Sequence, residues 1–304
     1  MRPERSTLLP DVDRAFSALK MQRNKKGILF VEGLSDLDFL CYHLQLHTQL
    51  EIVACRGKTN AIDNYKSGKG SPEATKWWIG LMVDHDHDFL DDDRELIEDL
   101  STGNVIVVDR TDDRTPPSAI DLESCLPLSK IEGILGIKDL ANKNALVNRL
   151  QRLAAVLHYL RNQRLGGAKR LRIAPAPSGP DDSLPNWISA LDFSGDLPKW
   201  NLHSLFAIVS QGRTFDAFID EINEIFQPLK SDGIAGLYKG HELALIAYCC
   251  HLHEISRYQT TSAIQNMSSI GFFRYQSDLL KSLDSQTVRT LAFVDRLNKS
   301  IMSN

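Results

Sequence analysis

No apolar run in this 304-residue chain approaches the roughly 20 residues that span a bilayer, which excludes a helical membrane anchor. A hydrophobic signal core is also missing. The opening Met-Arg-Pro-Glu-Arg leads into mixed polar sequence, and this predicts a protein made and kept in the cytoplasm. The five cysteines (Cys41, Cys55, Cys125, Cys249 and Cys250) contain no Cys-x-x-Cys, so neither a zinc ribbon nor a disulfide framework is expected. Net basic charge is absent too. A balance of −4 argues against a protein that binds nucleic acid over its whole surface. Acidic residues vanish altogether between Ala141 and Pro180, a block that carries Lys143, Arg149, Arg152, Arg161, Arg164, Lys169, Arg170 and Arg172. A basic face of this length could follow a phosphate backbone, and a solvated helix face is the plain alternative. The opposite block, Asp84 to Asp99, holds nine carboxylates and a single Arg94.

Hydrophobic residues at 42% and charged residues at 24% describe a globular chain long enough for one large or two ordinary domains. The stretch Gly27 to Leu40 sets the pattern. Ile28 to Val31 read as a buried strand, Glu32 and Gly33 stand where the run stops, and Gly33 is read as the residue that allows a sharp turn. Ser35 then reads as a helix cap with Asp38 completing a capping box, and Leu37, Leu40, Cys41 and Leu44 share one face. Glu51 to Ala54, Trp77 to Val83 and Val105 to Val108 repeat the short apolar run. Gly57-Lys58-Thr59-Asn60 is phosphate-friendly but lacks the spacing of a triphosphate-binding loop, and it is read as a loop before a short helix. With helical segments between them, these runs predict an α/β fold, a Rossmann-like parallel sheet flanked by helices.

From Leu126 to Leu165 the spacing turns helical, with Leu146, Leu150, Leu153, Leu157 and Leu160 on one stripe. Five prolines between Arg172 and Trp200 mark a loop, hinge or boundary. Helices follow over 202–210, 214–226 and 242–253, and a final amphipathic one over about 278–302. The expected division is a catalytic domain over 1–125 and a mostly α-helical C-terminal region over 126–304, with the Pro-rich connection near 172–200.

Glu32, Asp84, Asp86 and Asp109 each follow an apolar run, so a parallel sheet brings them to one edge. Carboxylates gathered this closely repel one another. A bound Mg²⁺ or Mn²⁺ is the usual remedy, and such an ion serves phosphoryl chemistry. Alternation turns His85 and His87 away from the aspartates, which removes a zinc reading.

Glu32-Gly33-x-Ser35-Asp36 after one strand, with Asp84-x-Asp86 after another about fifty residues later, resembles the TOPRIM domain of topoisomerases, primases and OLD-type nucleases. The likeness covers roughly residues 25 to 125. It implies that Glu32 is the general acid or base, that Asp84 and Asp86 hold Mg²⁺ with Glu32 beside them, and that Asp36, at the helix start, supports these ligands or serves a second metal. Asp88 extends the pair, and Glu123 in Asp121-Leu122-Glu123 looks like a second-metal ligand. Gly240-His241-Glu242-Leu243 is similar to a late segment of the PARIS-type effector nucleases of phage defence, which makes His241 a candidate near the site. That family implies an ABC-type ATPase partner, a homodimer, and a nucleic acid substrate such as tRNA, or DNA. Two other readings stand. Strand-Asp-x-Asp also opens haloacid-dehalogenase phosphatases, although those carry it on the first strand followed by Gly-Thr. A non-catalytic sensor that docks on an ATPase is the other.

Overall fold

A computed structural model describes residues 10–22, 24–84, 94–108, 121–122, 140–162, 186–194, 197–210, 212–227, 240–257 and 269–303. The chain divides into two compact units, Met1–Leu122 with Leu280–Asn304, and Glu123–Leu279.

The first unit is built on β1 (Gly27–Val31), β2 (Leu50–Ala54), β3 (Trp78–Asp84) and β4 (Val105–Val108). They form a four-stranded sheet in the order β2-β1-β3-β4, with every pairing parallel. A parallel sheet buries both faces, and the strands are correspondingly apolar along their length. On one face Ile28, Phe30, Ile79, Leu81, Val83, Val105 and Val107 pack with Val12, Phe16 and Leu19 of α1 (Pro10–Met21), Ala61 and Tyr65 of α3 (Lys58–Lys69) and Leu96 of α4 (Arg94–Thr102). Tyr65 donates from Oη to Asp99 at 2.8 Å, and Lys69 Nζ reaches the same carboxylate at 2.7 Å, which ties α3 to α4.

The other face requires a second cover. Leu29, Val31, Met82, Ile106 and Val108 are all sealed from solvent, and α2 (Leu34–His43) supplies Phe39 and Leu40. The end of the chain supplies the rest. The division expected after residue 125 falls between Leu122 and Glu123, and Leu280–Asn304, expected in the helical region, groups with the sheet unit instead. Phe293 lies 6.1 Å from the Phe39 ring, Trp78 Nε1 donates to Ser300 Oγ at 3.2 Å, and Arg296 donates to the Val107 carbonyl at 2.8 Å on the open edge of β4. The single terminal helix expected over 278–302 is three pieces. Ser269–Lys281 stops, Asp284 caps a short Ser285–Arg289 helix by accepting the Thr287 N–H at 2.8 Å, and Ala292–Ser303 follows.

In the second unit the long helix α5 (Leu140–Asn162) packs on α8 (Gly240–Arg257). Leu150, Leu153, Leu157 and Leu160 are buried as the stripe predicts. Between these helices in sequence lie α6 (Leu202–Val209) and α7 (Phe215–Glu224), capped by Asn201 and Thr214. The Pro-rich connection is partly structured. Leu191–Asp192 (β5) pairs antiparallel with Lys199–Trp200 (β6), beside a fully buried Trp187. The remaining helices are α9 (Ser269–Lys281), α10 (Ser285–Arg289) and α11 (Ala292–Ser303).

Candidate functional site

Register decides which strand ends meet. Val31 at the end of β1 is aligned with Met82 of β3, so Glu32 follows its strand beside the last residues of the neighbouring one. Asp84, the final residue of β3, donates its backbone N–H to Glu32 Oε1 at 2.8 Å. Two acidic residues 52 apart in sequence thereby meet at one sheet edge, through the Asp84 main chain and the Glu32 side chain. Both are half-buried.

The main chain of Glu32 is fixed from its other neighbour. Past the end of β2, Cys55 donates to the Val31 carbonyl at 2.9 Å, and Gly57 donates to the Glu32 carbonyl at 2.7 Å. Reaching that position puts Arg56 at φ 61° and Gly57 at φ 120°, both in the left-handed region. Backbone of this kind costs on the order of 1 kcal/mol for a residue other than glycine and collects where a loop is held for function. From there Lys58 opens a 12-residue helix, not the short one expected, and its Nζ donates to the Asp84 carbonyl at 3.3 Å. Lys58 therefore joins Glu32 and Asp84 at the edge. The sequence reading missed it, although the strand-end rule that selected Glu32 applies equally to the end of β2.

Gly33 and Ser35 need correction. Gly33 has φ −141° and ψ 179°, ordinary extended backbone, so the turn after Glu32 does not depend on glycine. It is Gly33, and not Ser35, that caps α2, and the carboxylate answering it is Asp36, whose Oδ2 accepts the Gly33 N–H at 2.8 Å. Asp38 instead pairs with Lys281 at 3.2 Å.

Asp36 is buried, and burial above all pushes its carboxyl from 3.8 up to about 7. The charge of Glu32 adds to this, the Gly33 N–H opposes it, and the charge of Asp121 adds a further push. Asp121 is 1% exposed. Of the pair flanking Leu122, it is this residue whose charge reaches the cluster, whereas the expected ligand Glu123 lies outside the described residues. So do Asp86, Asp88 and Asp109.

The raised carboxyl has a sign that can be measured. Between about pH 4 and about pH 7 the folded protein holds a proton on this group that the unfolded chain has released, so stability falls as pH rises through that window. Asp36→Asn removes the cost while keeping an oxygen for Gly33. The variant is expected to be more stable than the wild type by about 2 to 4 kcal/mol at about pH 8 and no more stable at about pH 4, read by denaturant melts at both values.

His241 sits near the start of α8, where its Nδ1 accepts from Gln276 Nε2 at 3.1 Å. Its neighbour Glu242 is fully buried and takes the His158 Nδ1–H at 3.0 Å on each oxygen. These bonds tie α8 to α9 and to α5. In the basic block, Arg149 and Arg152 are exposed on α5, and the Arg152 guanidinium stands 5.1 Å above the Phe226 ring. Lys143 and Arg161 lie within α5 by backbone, while Arg164, Lys169, Arg170 and Arg172 fall outside the described residues.

Among the described residues no group of three or more His, Cys, Asp or Glu side chains is arranged to hold a metal ion, and no helix is long and apolar enough to cross a membrane. The side-chain donors offered by Glu32 and Asp84 are oxygens, and the charge of Glu32 adds to the burial that raises the Asp36 carboxyl. Both properties fit a hard divalent cation.

Comparison with known proteins found no matching family model, no matching curated protein and no matching solved structure.

Proposed function

We propose that this chain is a Mg²⁺- or Mn²⁺-dependent TOPRIM-type nuclease whose working groups are Glu32, Asp84 and Lys58. One observation carries the reading: Glu32 and Asp84 arrive from adjacent parallel strands and are hydrogen-bonded at the sheet edge, with a lysine on the same backbone. Structural carboxylates are seldom gathered where they repel one another. Phosphodiester chemistry needs both a site for a cation and a group that moves protons.

Glu32 and Asp84, with Asp86 and Asp88 from the sequence that follows Asp84, are the residues that would hold the ion. When bound, a divalent cation supplies charge to offset the phosphodiester. Glu32 handles the proton that water gives up or that the leaving oxygen takes, its main chain pinned by Gly57 and its Oε1 by Asp84. Lys58 meets a phosphate oxygen. Asp36 and Asp121 set the local charge without contacting substrate.

Exposed Arg149 and Arg152 on α5 extend the reading to a nucleic acid track. The narrower parts of the proposal are an RNA substrate such as tRNA, or DNA, a homodimeric form, and control by an ABC-type ATPase in phage defence. They rest on the motif likeness alone.

The test is cleavage of end-labelled tRNA, single-stranded DNA and duplex DNA with Mg²⁺ or Mn²⁺, alone and with the neighbouring ATPase, with EDTA as the blank. Metal-dependent cutting supports the proposal. Turnover of small phosphate esters without any cutting of nucleic acid would move it to the phosphatase class. Lys58→Met is expected to slow cleavage about a hundredfold without shifting the melting temperature, since it removes a positive hydrogen-bond donor from developing charge. Unchanged rates would take Lys58 out of the site.

A further inference from the structure

The sheet unit has a concave feature at the other end of α2. Beyond His43 and Leu44, the last helical residue and its cap, a cavity of about 310 Å³ opens between α2, α10 and α11. Its volume is at the lower end of the range of small-molecule sites. Leu44, Val288 and Val294 give it an apolar floor, with Val288 and Val294 themselves buried.

The polar groups around that floor are mostly donors. Ser285 and Arg289 stand one turn apart on α10, and Asn298 projects from α11. The side chains of these three make no hydrogen bond or ion pair with any part of the chain among the described residues. The other two polar walls are already engaged. His43 donates from Nε2 to the Leu280 carbonyl at 2.9 Å, which fixes its tautomer, and Asp295 pairs with Lys299 at 2.6 Å, which offsets its charge. What is left unmatched among the described residues is one guanidinium, one amide and one hydroxyl around an open pocket whose one carboxylate, Asp295, already has Lys299 as its partner.

We infer that this cavity binds the phosphate group of a small molecule, with the Arg289 fork as its principal contact and Asn298 and Ser285 completing the set. A planar guanidinium matches two phosphate oxygens at once, and short polar side chains supply the remaining bonds. The apolar floor would take the carbon body attached to that phosphate. The cavity is separated from Glu32 by the length of α2, ten residues or about 15 Å, so this binding is a different event from phosphodiester chemistry at the sheet edge.

The experiment is isothermal titration of the full chain with inorganic phosphate and, separately, with adenosine 5′-monophosphate. The wild type is expected to bind at least one of them saturably, and Arg289→Met to weaken that binding about tenfold or more, the effect of losing a charged hydrogen-bonding partner. Arg289 is exposed, so this variant should fold. Binding of both probes would mean that the free ion suffices, and binding of the nucleotide alone that an organic phosphate is required. Arg274→Met, which removes the same charge from an exposed position in the other unit, should leave the affinity unchanged. Several results would overturn the inference: no binding of either probe, unaltered binding in Arg289→Met, or equal weakening by Arg274→Met. Because cleavage is not the readout, the inference can fail while the proposed nuclease stands, and the reverse also holds.

Discussion

Glu32→Gln is expected to reduce metal-dependent cleavage by about a thousandfold or more while leaving the fold unchanged. Glutamine has the same shape and keeps an oxygen for the Asp84 N–H, so the 2.8 Å bond that joins the two strand ends can persist. What disappears is a negative charge at the sheet edge and a group able to exchange protons. The main-chain bond from Gly57 to the Glu32 carbonyl does not involve the side chain and should also remain. Single-turnover cleavage measured beside a thermal melt separates the two effects. A variant that melts like wild type and still cuts at a comparable rate would remove Glu32 from the chemistry.

The largest loss of stability is expected from Gly27→Ala, at the other end of the same strand. A Cβ added there would lie 2.1 Å from the Trp78 carbonyl oxygen and 2.8 Å from its carbon. Those atoms are backbone of β3, which pairs with β1 at this register, and β1 is bonded on its far side to β2. Neither neighbour can withdraw without breaking the ladder that carries Glu32 and Asp84 to their meeting point. Overpacking against backbone of this kind costs about 3 kcal/mol or more, and a fall in melting temperature of about 10 °C is expected. Gly33→Ala is the control. Its added Cβ would meet nothing closer than the Asp36 carboxylate at 3.7 Å, and its backbone is one that alanine adopts. Equal melting temperatures for wild type and Gly27→Ala would show that the close approach is absent.

These two glycines show where the amino-acid sequence is legible and where it stops. The apolar runs mark all four strands, and the convergence of Glu32 and Asp84 follows from their parallel order. Both are local signals combined with one topological rule. By contrast, Gly33, the glycine expected to turn the chain beside Glu32, is in ordinary extended backbone, and Gly27, with no room for a side chain, begins the strand. That constraint comes from Trp78, some fifty residues away, and no local pattern reports it.

The same limit explains the terminal helices. Their periodicity is amphipathic in either unit, and only the uncovered face of the sheet decides the matter, through Phe293 against Phe39 and Ser300 beneath Trp78. Lys58 was hidden for a different reason. Gly57-Lys58 lacks the spacing of a triphosphate loop, yet it follows the end of β2 and reaches the Asp84 carbonyl. Asp121 stands two residues before Glu123, and its burial comes from tertiary packing that spacing does not report.

The central claim is that the carboxylates at the end of β1 and β3 form a divalent-cation site. Its most direct test is Mn²⁺ binding followed by electron paramagnetic resonance, comparing the wild type with Asp84→Asn and Glu32→Gln. Saturable binding to the wild type is expected, competed by Mg²⁺ and weakened at least about tenfold in each variant. Equal Mn²⁺ binding by all three proteins, or none by the wild type at millimolar ion, would contradict it.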